Sequence, residues 1–313
     1  MPFVLRRLLA VVPTVLVVAT VTFLALQVIP GDLAVVMLGM DARAEDVARL
    51  RQEFGLDRPL AVRYLGWLAG IVRGDLGASV AYREPVARLI AARLPVTVSV
   101  AFAAMLIAVV LALPLGVVAA RRAWSGLDLA VLAGSQLGLA VPTFWLGILL
   151  LLWLAAAVPI FPLQGYTPLF RDPLEWARHL VLPAVALGVD RAAALVRLVR
   201  ASLLEELNRE YVRTARGKGL GEGVVVRRHV LRNALIPVLT VAGLQLGYLL
   251  AGTIVVEQVF GLPGLGRLLL QAIYARDLVV VQGVVMVVAV MFTLLNLLVD
   301  LLYAAVDPRI AYD

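Results

Sequence analysis

The chain has 313 residues, 62% of them hydrophobic, with 28 basic against 21 acidic side chains and a formal net charge of +7. Soluble domains carry about 45–50% apolar residues, so this composition, with a mean hydropathy of +0.97, indicates a membrane protein whose arginines gather in loops rather than a nucleic-acid surface. There is no cysteine, which excludes disulfides and thiolate chemistry, and with only His179 and His229 a multi-histidine metal site is not expected.

Arg6 and Arg7 precede an uncharged apolar run over residues 8–29, long enough for a helix to cross roughly 30 Å of hydrocarbon. A cleaved signal peptide is the competing reading. The run exceeds a signal core of about 7–15 residues and no small-x-small site follows it, so a retained anchor with a cytoplasmic N-terminus is expected. Residues 30–94 form the longest polar excursion, and their nine basic and eight acidic residues give no net direction. The preceding span places them outside. Val47, Leu50 and Phe54 fall at helical spacing. Residues 60–72 are amphipathic, with Tyr64 and Trp67 suited to the membrane interface. A third short helix is predicted over 85–94, opening on proline. Two readings stand for this region: a helical cap lying on the bilayer, and a docking surface for an extracytoplasmic partner.

Five further apolar segments follow. Residues 96–120 end at Arg121 and Arg122. In 129–158, Pro142 kinks the helix or marks its true start. Residues 180–200 carry Asp190 and Arg191 near their middle, 235–256 are uninterrupted, and 282–306 hold Asn296 and Asp300. Six spans predict an all-α polytopic fold with both ends on one side. Seven basic residues against four acidic between 201 and 234 put that side in the cytoplasm. The predicted organisation is an anchor with an extracytoplasmic helical region (1–94) and a five-helix core (95–313) with a polar segment at about 201–234.

That segment contains EYVRTARGKGLGEG. A short polar helix is predicted over 208–216, broken by Gly217, Gly219, Gly221 and Gly223. The helical pattern resumes over 224–235 and enters the bilayer at Pro237, making an elbow. In the fourth span a charge at a helix centre costs roughly 2.5–3.5 kcal/mol, which singles out Asp190 and Arg191. Adjacent helix positions lie about 100° apart, so the two side chains are not expected to face one another. Either an interhelical ion pair or the lining of a polar pathway accounts for them. Glu257 ends the fifth span before GLPGLGR (261–267), too short and apolar for a solvated loop. With Pro263 and Gly264 it forms a candidate plug or gate; an ordinary tight turn is the alternative. Gly217-Lys218-Gly219 lacks the spacing and hydroxyl of a phosphate loop, and no metalloprotease or hydrolase motif is present.

Several segments, in order, carry a family likeness: VPTVLVVATVTFLALQVIPGD (12–32), FGLDRPL (54–60), RGDLG (73–77), RLPVT (93–97), VPTFWLG (141–147), EYVRTARGKGL, RHVLRNALIPV (228–238), VFGLPGLGRLL and NLLVDLLYAAVDPRI (296–310). On these the chain resembles the inner-membrane permease subunits of the dipeptide/oligopeptide/nickel class of ABC importers, the first of the two permease types. The resemblance implies a subunit that hydrolyses no ATP and binds no cofactor, ATP being held by partner subunits. Its cytoplasmic elbow is then the EAA-type coupling segment, seated in a groove of a separate ATPase. Carried onto this sequence, that segment comprises Tyr211, Arg213, Thr214, Ala215, Lys218, Gly219 and Leu220. Arg-Thr-Ala stands here where the general importer pattern reads Glu-Ala-Ala. The implied partners are a second homologous permease, two ATPases, an extracytoplasmic binding protein and membrane lipid in a prokaryotic inner membrane, with no nucleic acid. Peptides are the implied substrate, with nickel chelates or oligosaccharides as alternatives. A proton-coupled carrier using Asp190 or Asp300 is the rival class.

Overall fold

In a bilayer each backbone polar group must find its partner inside the protein, and helices satisfy that demand within one segment. The computed structural model, which describes residues 2–28, 32–39 and 43–306, is accordingly built of helices, with an isolated bridge between Ala78 and Pro85. The expected end of the anchor at Ile29 and the close of the last resemblance segment at 307–310 lie outside the described residues. Helices α1 (Pro2–Gln27), α2 (Leu33–Leu38), α3 (Ala44–Glu53) and α4 (Leu60–Val72) precede the long α5 (Val86–Arg121). Then come α6 (Gly126–Ala140) and α7 (Thr143–Leu150), which continues through a π-helical turn, Leu151–Ala155. The second half comprises α8 (Pro173–Leu207), α9 (Glu210–Gly217) and α10 (Glu222–Val224), which runs through π-helical Val225–Val230 into α11 (Leu231–Gly252). Last are α12 (Ile254–Val259), α13 (Leu265–Tyr274) and α14 (Leu278–Val306).

Among the described residues, 5 helices are long and apolar enough to cross a membrane, and 6 spans result if the pair α6–α7 counts as one. That pair is bent by 94°. Pro142 lacks an N–H and holds Val141 in extended backbone, so the chain stops and restarts there. The predicted separate helix over 85–94 is not separate: Pro95 sits inside α5, which runs unbroken from Val86. Pro95 lies more than two turns inside α5 and leaves the Ala91 carbonyl without its usual helical donor, a loss of one bond that the rest of the long helix outweighs.

Small residues set the packing. Ala104, Ala108, Ala112 and Gly116 line one face of α5 and are buried against α8. A Cβ added at Gly188 would stand 2.8 Å from the Ala104 carbonyl, and one at Gly116 would stand 2.6 Å from Val199. Such close approach drives helix association where lipid supplies no hydrophobic force. The register also shows α5 and α8 running parallel. Gly243 and Gly247 of α11 meet Val299 and Phe292 of α14, an antiparallel pair.

Polar clasps fix the ends. Arg200 donates twice to Asp128, each bond 2.6 Å, and its guanidinium lies 5.7 Å over the Trp124 ring. Asp128 is 1% exposed and also accepts from the Trp124 amide at 2.8 Å. Arg7 of α1 pairs with Asp300 of α14 at 3.0 Å, so the first helix begins where the last one closes. At the opposite end Asp277, 1% exposed, accepts from Ser79 Oγ at 2.5 Å and from the Ala81 amide at 3.0 Å. This clasp joins the segment before α5 to the start of α14.

Removing one member of a buried bidentate pair strands the other charge, at a cost of about 3–5 kcal/mol. Asp128→Ala is therefore expected to lower the thermal unfolding midpoint of the detergent-solubilised protein strongly. Arg209→Ala, which breaks an exposed pair with Glu205, should cost under about 1 kcal/mol.

Candidate functional site

Two groups of residues stand out, at opposite ends of the bundle. The first is the elbow. Glu210 begins α9, and Arg216 in its last turn complements the helix dipole. The helix is amphipathic: Val212 and Ala215 are buried, and Val225 and Val230 of the π-helical stretch belong to the same apolar cluster. Tyr211 is half-buried. Its hydroxyl donates to Glu206 and accepts from Asn233 Nδ2 at 3.2 Å, which ties the end of α8 to α11. Burial first, and then the Glu206 carboxyl, push the Tyr211 phenol above its ordinary range. The opposite face presents Arg213, Thr214, Lys218, Gly219 and Leu220 outward, all exposed. Gly219 has φ of +79°, a conformation open chiefly to glycine, and its amide donates to the Arg216 carbonyl at 2.9 Å. Arg216 then spans the turn to Glu222 with bonds of 3.0 and 2.7 Å. The expected helix, glycine turn and resumed helix are all present. Pro237, expected at the membrane entry, lies inside α11.

The second group surrounds Glu257, which is 0% exposed. Thr97 of α5 donates to Glu257 Oε1 at 2.7 Å, and Thr253 donates to the same oxygen at 2.8 Å. The Arg267 amide donates to Oε2 at 2.9 Å. Thr97 Oγ1 also accepts from the Leu265 amide at 2.8 Å. The body of α5, the α11–α12 junction and the start of α13 therefore converge on one carboxyl group. The Arg267 guanidinium donates to the Gly261 carbonyl at 2.8 Å, closing the turn from its other side. Gly264 is small because the carboxyl occupies its side-chain space, where a Cβ would stand 2.3 Å from it, and Gly266 because a Cβ would stand 2.5 Å from the Ile254 Cα. Leu262, Leu265 and Leu268 are buried, whereas Pro263 is exposed. The segment thus folds back against α5 and is no solvated loop.

Asp190 and Arg191 lie elsewhere, on a half-exposed stripe of α8 with Arg197, which donates to Gln136 of α6 at 3.1 Å. The expectation that they do not face one another fails: Arg191 Nε lies 3.4 Å from the Asp190 carboxylate. Backbone direction separates adjacent Cβ atoms, but the long guanidinium stem folds back across that angle. Sequence reasoning also missed Thr253, four residues from Glu257, and Thr97, Asp277 and the Asp128–Arg200 pair, whose partners lie far apart in the chain. Among the described residues no group of three or more histidine or acidic side chains could hold a metal ion.

Alternating membrane crossings, a turn folded back at one end and a polar elbow at the other define a multi-pass membrane transport subunit. The chain belongs to the family described as binding-protein-dependent transport system inner membrane component: that model matches residues 112–312, and the model of the family's N-terminal part matches 1–101. It is 44% identical over 310 residues to a protein of Brucella suis biovar 1 named for a peptide transport system permease, covering 99% of both chains. It is 41% identical over 315 residues to the glutathione transport system permease protein GsiC of Salmonella choleraesuis, covering 99% of each. The inward-facing MetNI methionine ABC transporter shares the fold, with a TM-score of 0.58 at 21% identity over 70% of this chain and 96% of that one. The chain is an inner-membrane permease of an ABC-type transport system.

Gly264→Ala forces the Glu257 carboxyl aside and should cost about 1–3 kcal/mol, read as a lower unfolding midpoint. Gly221→Ala, with nothing within 4 Å of the added methyl, should stay within about 0.5 kcal/mol.

Proposed function

We propose that this chain forms half of the translocation pathway of an ATP-driven importer of di- or oligopeptides, with α9 as its contact to a separate ATPase. The full-length likeness to a protein named for peptide transport carries the substrate class. Glutathione is itself a small peptide, and the similarity to a glutathione permease points the same way. The elbow supplies the coupling. Its buried face holds it to the bundle while Arg213, Thr214, Lys218 and Leu220 remain available to a groove on a partner. A short helix on a glycine turn moves as one body when the partner closes, and α10 with α11 carries that displacement along the bundle.

In this reading the assembly contains a second, homologous permease, two ATPases and an extracytoplasmic binding protein, and ATP is hydrolysed by the partners alone. Both ends of the chain and α9 face the cytoplasm; helices α2–α4 face outward, near the binding protein. Asp190, Arg191 and Arg197 give α8 a polar face toward the pathway, and the Glu257 turn with Pro263 and Gly264 closes its outer end. The proton-coupled alternative has less support, because Asp190 and Asp300 are each held in an ion pair.

The test is uptake of labelled di- and oligopeptides by vesicles containing the assembled complex, with ATP on the ATPase side and binding protein on the other. Gly219→Pro cannot adopt the positive φ and deletes the bond to Arg216. It should lower ATP-dependent uptake by about tenfold or more with assembly intact. Uptake that ignores ATP, or follows the proton gradient, would overturn the proposal.

A further inference from the structure

A cleft of about 350 Å³ opens between the outer end of α1, the α3–α4 junction, α4 and the start of α14. Its walls are aromatic: Phe23 contacts Trp67 with ring centroids 5.6 Å apart. Its polar groups are poorly satisfied. Gln282 lines the cleft and is only 8% exposed, yet its Nε2 has no hydrogen-bond partner. Leaving such a group unpaired costs about 1–3 kcal/mol, so an acceptor oxygen offered from the cleft would be favoured there. Arg63 donates one bond, to Gln27 Oε1 at 3.2 Å, and its guanidinium lies 6.0 Å from the Phe23 ring centre. Among the described residues neither Arg63 nor Arg58 at the rim forms an ion pair, and one exposed carboxylate, Glu53, shares the cleft with them. Burial pulls Arg63 below its ordinary range, as expected of a charge short of counter-charge.

The level of the cleft points to its occupant. Along α4, Tyr64 and Trp67 turn toward α1, while Leu60, Val62 and Leu65 are 47%, 49% and 62% exposed. An amphipathic helix of this kind lies in the headgroup region of a bilayer. Below the cleft the α1 surface is apolar and open, with Val21 61% and Leu24 45% exposed, which suits acyl chains. We propose that this cleft is a binding site for the anionic phosphodiester headgroup of a membrane phospholipid. Arg63 and Arg58 take the phosphate, and the Gln282 amide takes a phosphate or glycerol oxygen. The occupied site would fasten α4 to α1 and α14, bracing the outer helices on the bundle.

The experiment is native mass spectrometry of the full chain released from detergent micelles and titrated with phosphatidylglycerol, phosphatidylcholine or inorganic phosphate. Intact protein should hold one phosphatidylglycerol more tightly than phosphatidylcholine. Arg63→Gln combined with Gln282→Leu should weaken the first by about tenfold and the second by less, since the choline cation already offsets the same phosphate. Gln282→Glu keeps the size of the side chain and should weaken phosphatidylglycerol binding by repulsion, whereas Arg63→Lys should retain most of it. Variants with an unchanged unfolding midpoint and unchanged phosphatidylglycerol binding would overturn the proposal. So would equal binding of the two lipids, or displacement of the lipid by millimolar phosphate, which would assign the cleft to a free anion.

Discussion

The folded-back turn at the end of the bundle opposite the elbow is held by one buried carboxyl group. The fifth span does not simply exit: the chain folds back, and backbone that leaves helical form in an apolar region must have its polar groups satisfied by protein. Glu257 meets that need by accepting from two threonine hydroxyls and one amide on three separate elements. Thr97 passes the network on to the Leu265 amide. Gly264 follows from this arrangement, since the carboxyl fills the volume its side chain would need. The buried leucines around it then seal the network from solvent, where each bond is electrostatically stronger than in water.

In the proposed mechanism this hub links the two distant ends. From Glu222 the chain runs through the π-helical stretch and α11 to Gly252, and Thr253 and Glu257 stand just beyond. In the proposed mechanism a displacement of α9 travels along this continuous stretch to the residues that hold the folded-back turn. The α5–α8 pair, packed through alanine and glycine, is too tightly apposed to bend in response. A rigid frame beside a movable rod is the arrangement that turns a local push into a two-state change, because packed interfaces switch rather than deform continuously.

Much of this was legible in the sequence. The apolar runs are so long that span number follows from length, and Pro142 marks its break because no helix continues smoothly through that residue pair. The elbow was legible from its glycines, and the backbone angle at Gly219 justifies one of them directly. What escaped was pairing across the chain. Thr97 reads as an ordinary residue in an apolar span, and nothing near it announces Glu257, 160 positions away. Asp128 and Arg200 look like loop charges until the fold joins them. The helix expected over 85–94 and the span expected over 96–120 are one helix, because a single interior proline costs one hydrogen bond and the apolar run on both sides continues the helix. Asp190 and Arg191 were separated by a backbone argument that a flexible guanidinium escapes.

The most direct test of the Glu257 hub is a double-mutant cycle on the unfolding free energy of the solubilised protein, using Thr97→Val and Glu257→Gln singly and together. Groups joined in one buried network should show a coupling of about 0.5–3 kcal/mol, the double variant losing less than the sum of the two. Losses that add to within about 0.3 kcal/mol would contradict the account, and the turn would then be held by apolar packing alone.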